Sequence, residues 1–97
     1  MQLLEIHRLA DREINEAASF YEQQTIGLGT DFLDEVEACL ASILGYPMGG
    51  PEILPGVRRR LLRRFPHGIL YSIKPDSIRV LAVMHLKREP DYWVDRR

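Results

Sequence analysis

The sequence predicts an α+β domain of two layers, β-αα-βββ, in which a helical hairpin packs on one face of a four-stranded, mainly antiparallel sheet of order 1-4-3-2. Three observations lead there. Apolar residues recur at helical spacing on either side of a glycine-rich break, from Val57 onward the period becomes two, and the short turns "FPHG" and "KPDS" cut that second half into three runs. Ninety-seven residues, 45% of them hydrophobic, suit one domain over residues 1–97 with a small core.

The opening Gln2 to His7 alternates loosely and suits a short strand. In "LADREINEAASFYEQQ", Ile14, Ala17, Ala18 and Tyr21 stand at i, i+3, i+4 and i+7 and share one helical face. Asp11 serves as an N-cap or first-turn acid there, and Glu13, Glu16 and Glu22, with Glu37 of the next helix, read as solvated surface. The glycines of "TIGLG" favour a turn. In "TDFLDEVEACLASILGYP", Phe32, Leu33, Val36, Leu40, Ile43 and Leu44 form a second stripe, which Gly45 and Pro47 end. A short connection makes the pair a hairpin.

"YPMGGPEILPG" reads as an ordered loop. Strands follow at about Val57 to Phe65, Gly68 to Lys74 and Ser77 to Leu86, joined as an antiparallel meander. The last, "IRVLAVMHL", is nearly continuous apolar sequence, as an interior strand covered on both faces requires, and the N-terminal strand is the candidate to flank it.

Charge divides the chain. Residues 1–53 carry ten acids against two arginines, a balance of -8, and residues 54–97 carry eleven Lys/Arg against four acids, a balance of +7. Five arginines fall in the first eight residues of "VRRRLLRRFPHGILYSI". Alternation puts Arg58, Arg60 and Arg64 on one face with Arg59 and Arg63 on the other. Two readings compete: charges protecting an edge strand, or a basic strip on the face away from the helices that meets phosphate or carboxylate. Without aromatics at stacking spacing among the arginines, a single-strand nucleic-acid platform is poorly supported.

Conventional site motifs are missing. His7, His67 and His85 have no metal-ligand spacing with other donors and read as hydrogen-bonded structural residues, and no phosphate loop, dinucleotide fingerprint or nucleophile elbow occurs. No metal or organic cofactor is expected. Cys39 is single and reads as a small core residue. The N-terminus lacks the pattern of a signal peptide, and no apolar run approaches the roughly 20 residues that span a bilayer, so a soluble cytoplasmic chain is expected, with no membrane partner.

The succession of "EINEAASFYEQQ", "LGTDFLDEVEACLASILGYP", Arg64-Phe65-Pro66 with Tyr71, and a C-terminal H-x-x-R-x-P-x-x-W at His85, Arg88, Pro90 and Trp93 resembles the ParE/RelE toxins of bacterial type II toxin-antitoxin modules, closest to the ParE-like, plasmid-stabilisation branch. The resemblance covers essentially the whole chain. It implies a small toxin neutralised by a cognate antitoxin encoded beside it. ParE-like members are understood to inhibit DNA gyrase by protein-protein binding, whereas RelE-like members are ribosome-dependent messenger-RNA endonucleases. The ribonuclease branch places an arginine just before the apolar-apolar-Tyr run and lysines at alternate positions on the preceding strand; here those positions hold Gly68, Arg59 and Leu61. A glycine cannot stabilise a developing charge, so gyrase inhibition is the leading expectation and the endonuclease the alternative, with Arg59, His85, Arg88 and Tyr92 as its catalytic candidates. Direct nucleic-acid binding is not expected except through the antitoxin or the ribosome. The expected antitoxin- or target-binding residues are Arg58, Arg60, Arg64, Arg88, Trp93, Arg96 and Arg97. Trp93 carries two readings, a residue folded back over the end of the sheet or an exposed anchor.

Overall fold

The computed structural model describes residues 3–97; Gln2, read as the start of the first strand, lies outside them. The elements are β1 (Leu3–Ile6), α1 (Arg8–Gln24), α2 (Leu28–Gly45), a 3-10 turn (Pro47–Gly49), β2 (Glu52–Leu54), β3 (Val57–Leu61), β4 (His67–Ile73), β5 (Ser77–His85) and a C-terminal 3-10 turn (Val94–Arg96). The sheet has five strands in the order β1-β5-β4-β3-β2. β1 pairs with β5 in parallel, and every other pair is antiparallel.

This corrects the expected four-stranded sheet of order 1-4-3-2. The fifth strand comes from the Gly/Pro-rich connection, where Gly56 in the left-handed region (φ 79°) turns Glu52–Leu54 back onto Val57 and Arg58. The arginine-rich strand therefore lies inside the sheet, and edge protection does not account for its charges. It is also shorter than expected. Leu62 to Pro66 leave the sheet, and Leu62 and Phe65 turn into the core beneath the helices.

The helices form because each presents a buried stripe: Ala10, Ile14 and Ala18 on α1, and Gly29, Phe32, Val36 and Ile43 on α2. Leu33 and Leu44 remain partly exposed, so the buried stripe is narrower than the apolar one. The cap of α1 is His7, whose Nδ1 accepts from Leu9 N–H at 3.1 Å, and Asp11 is a first-turn acid. Two of the acids read as solvated are structural. Glu22 accepts from Gly27 and Gly29 N–H at the start of α2, and Glu13 is part-buried in a network described below. The helices meet where a Cβ on Gly29 would stand 2.5 Å from the Ala18 carbonyl oxygen.

Both faces of the sheet are covered. Under the helices, Ile69, Tyr71, Ile78, Val80 and Val83 join the helical stripes. On the other face Val57, Leu70, Leu81, Ala82 and Met84 pack around Trp93, which the C-terminal segment folds back to 1% exposure. A bulge makes this possible. β5 has one extra residue, Leu81, between the pairs Leu70↔Ala82 and Tyr71↔Val80, so Leu81 and Ala82 both join the Trp93 cluster and alternation resumes in a new phase.

Gly29→Ala reverses the usual helix rule. Alanine at a helical glycine ordinarily stabilises by up to about 1 kcal/mol, but here the methyl group meets backbone. We expect a loss of about 1–3 kcal/mol by urea unfolding, whereas Gly45→Ala, with nothing within 4 Å of its added Cβ, is neutral or stabilising.

Candidate functional site

Most of the expected cationic surface is committed to the fold. The Arg58 guanidinium donates to the Gly50 carbonyl at 2.7 Å and the Met48 carbonyl at 3.2 Å. Arg60 donates to Ser42 Oγ at 2.8 Å and the Tyr46 carbonyl at 3.5 Å. Both side chains thus lie on the helix-bearing side and clamp the α2–β2 connection, which corrects the expected basic strip on the opposite face. The Tyr71 hydroxyl joins the clamp by donating to the Pro47 carbonyl at 2.6 Å and accepting from Gly50 N–H. Arg59 points the other way, with its stem against Gly68. Arg97 donates to the Pro55 carbonyl at 2.6 Å. Trp93 is core and offers no free surface, which rules out the exposed-anchor reading. Arg64 is largely exposed and 3.5 Å from Asp31.

Arg96 belongs to a buried cluster around Glu13. The Glu13 carboxylate accepts from Val83 N–H at 3.0 Å, from the Tyr92 hydroxyl at 2.8 Å, and from both terminal nitrogens of Arg96 at 3.0 Å. Arg96 also donates to the Leu81 carbonyl at 3.1 Å. Burial, then the bond to Glu13, push the Tyr92 phenol well above its ordinary pKa.

Beside this cluster lies an open pocket of about 330 Å3 between α1 and the C-terminal segment. Glu13, Glu16, Ala17, Phe20 and Tyr21 form its α1 wall, and Val83, His67, His85, Arg88 and Tyr92 line the rest. The Tyr21 hydroxyl and His67 Nε2 are 3.0 Å apart. His85 Nδ1 accepts from Lys87 N–H at 3.0 Å, so a neutral His85 carries its proton on Nε2. The Arg88 guanidinium lies over the Tyr92 ring at 4.0 Å. His67, 5% exposed, is held neutral, because burial and then the neighbouring His85 lower its pKa to about 4.

Three of the four catalytic candidates, His85, Arg88 and Tyr92, thus meet at one pocket, and Arg59 does not join them. Tyr92, bonded to a carboxylate, is a poor proton-transfer group at neutral pH. The arrangement suits holding an apolar body that carries an acceptor. Among the described residues, no group of three or more His, Cys, Asp or Glu is placed to hold a metal ion, and no helix is long and apolar enough to cross a membrane. Sequence reasoning missed Glu13, Phe20, Tyr21 and His67 as site residues. Tyr21 and His67 are 46 positions apart, and no local pattern announces their contact.

Fold and site define a small α+β domain with an aromatic pocket, lined by Arg88, Glu13 and Glu16, beside a helical hairpin. The model of the ParE toxin of the type II toxin-antitoxin system, parDE, matches residues 4–90, and the chain belongs to that family. A solved structure described as the chromosomal ParDE TA system from P. aeruginosa is similar with a TM-score of 0.66 and 22% identity, over 90% of this chain and 98% of that one, a likeness that speaks to the fold. No curated protein matches the chain.

His67 makes stability depend on pH. Its folded pKa of about 4 lies below the ordinary 6.5, so between those values the unfolded chain binds more protons and stability falls as the pH falls. The full contribution is about 3 kcal/mol. Urea unfolding from pH 7 to 4 should show this loss in the wild type and a shallower one in His67→Asn.

Proposed function

We propose that this chain is a cytoplasmic toxin that inhibits DNA gyrase by binding it and performs no chemistry itself, and that a small antitoxin encoded beside it neutralises it. Membership of the ParE family supports the pairing. The observation that carries the choice of activity is the dispersal of the ribonuclease set. Arg59 is on the opposite face of the sheet from His85, Gly68 stands where that branch has an arginine, and the Tyr92 hydroxyl is bound to Glu13. Phosphodiester cleavage is served by several cations and a free proton-transfer group focused on one phosphate, whereas here Arg88 and His85 meet without Arg59, without an arginine at position 68 and with the Tyr92 hydroxyl already bound.

The endonuclease remains the second reading because His85, Arg88 and Tyr92 share a pocket. A supercoiling assay with purified gyrase, run beside cleavage of ribosome-bound message, separates the two. Gyrase inhibition that reaches completion near stoichiometric toxin, with message left intact, is expected. Message cleavage abolished by Arg88→Ala, with supercoiling unaffected, would reverse the assignment.

A further inference from the structure

We infer that the pocket between α1 and the C-terminal segment is a socket for one bulky apolar side chain of an acidic, amphipathic peptide segment, with an adjoining carboxylate of that segment bound by Arg88 and His85. The inference rests on the toxin-antitoxin reading above, in which the segment belongs to the antitoxin.

Arg88 combines unspent donors with a place in the pocket lining. Arg58, Arg60, Arg96 and Arg97 each donate to a carbonyl, hydroxyl or carboxylate, and Arg64 has Asp31. Arg88, like Arg59, Arg63 and Arg79, has no side-chain hydrogen bond or ion pair among the described residues, and of these four only Arg88 lines the pocket. Its guanidinium lies over the Tyr92 ring at 4.0 Å, a contact that leaves its N–H groups unspent. His85 Nε2–H is a second donor, its tautomer set by the Lys87 amide. Behind them the buried His67 Nδ1 has no partner.

The nearby carboxylates do not compete. Glu13 already takes bonds from Val83, Tyr92 and Arg96, and Glu16 is paired with Arg12 at 2.8 Å. The pocket's unspent groups are therefore mainly donors at the rim of an apolar wall made by Ala17, Phe20 and Val83. Phe20 is 56% exposed although it is a large aromatic beside a concave surface. A volume of about 330 Å3 lies at the small end of ligand sites and accommodates a single large side chain. Tyr and Arg around such a pocket are residue types that concentrate binding energy. A nucleic acid fits less well, because a phosphate backbone entering here would bring a row of negative charges against Glu13 and Glu16 of the pocket lining, where the peptide brings one carboxylate to Arg88.

The test uses the full chain and the protein translated from the adjoining reading frame, with affinity measured by calorimetry. Arg88→Ala and Phe20→Ala should each weaken binding tenfold or more. Lys74→Ala, which removes a positive charge at the opposite end of β4, should change it less than twofold. Both pocket residues are exposed, and circular dichroism checks that the variants fold. Raising the salt concentration should weaken the wild type more than Arg88→Ala. Tight wild-type binding that neither pocket variant weakens would overturn the socket and leave the toxin-antitoxin reading standing. No wild-type binding would overturn both. A single-stranded RNA oligonucleotide that binds the wild type and is lost from both variants would assign the pocket to a nucleobase and overturn the peptide assignment.

Discussion

The Glu13 carboxylate stands where a strand would otherwise be needed. β1 has four residues and β5 has nine, and their pairing ends at Ile6↔Val80. Beyond that point the outer edge of β5 has no strand beside it, and buried backbone groups left unpaired there would be costly. Glu13 accepts the Val83 N–H and Arg96 donates to the Leu81 carbonyl, so the ion pair offers β5 an acceptor and a donor as a neighbouring peptide would. Its side chains are 16% and 11% exposed, which places the pair among interactions that are satisfied by several bonds or not formed at all. Much follows from it. The pair ties the C-terminal segment to α1, Tyr92 is held by the same carboxylate, Trp93 closes the second core, and the ring that supports Arg88 is fixed in place.

The charge division of the sequence acquires a structural meaning on the same terms. The basic half folds against the acidic half. Glu35 of α2 receives the amides of Arg63 and Arg64, Asp31 lies near the Arg64 guanidinium, and Glu13 takes Arg96. Elsewhere arginines hold backbone carbonyls of the irregular segment between α2 and β3, a role suited to the several N–H groups of a guanidinium. Two of the five clustered arginines, Arg58 and Arg60, are thus scaffold, and Arg63 and Arg64 stay at the surface. Arg88, one cation among many in the sequence, is the arginine with unspent donors that the fold places at the pocket beside α1.

The sequence made local order legible and long-range contact illegible. Helical periodicity located α1 and α2, and alternation located β3, β4 and β5, because these patterns follow from a single buried face or pair of faces. β2 was hidden because three residues between prolines carry no periodicity, and with it went the position of the arginine strand inside the sheet. Alternation separated Arg58 and Arg60 from Arg59, but it could not say which set faced the helices. Glu13 looked like one more exposed acid since its partners are 70 to 83 residues away. His85, Arg88 and Tyr92 were legible as a group because they lie close together in sequence, whereas the pocket's other wall on α1 was not.

The family and the fold agree on a small toxin scaffold, and the socket depends on how firmly the C-terminal segment is tied to α1. A double-mutant cycle on Glu13→Gln and Arg96→Met, read by urea unfolding, tests that tie most directly. The account predicts a coupling of about 2 kcal/mol or more, because each single change leaves the other part-buried charge without its opposite charge. A coupling below about 0.5 kcal/mol, the level of additive, independent sites, would contradict it.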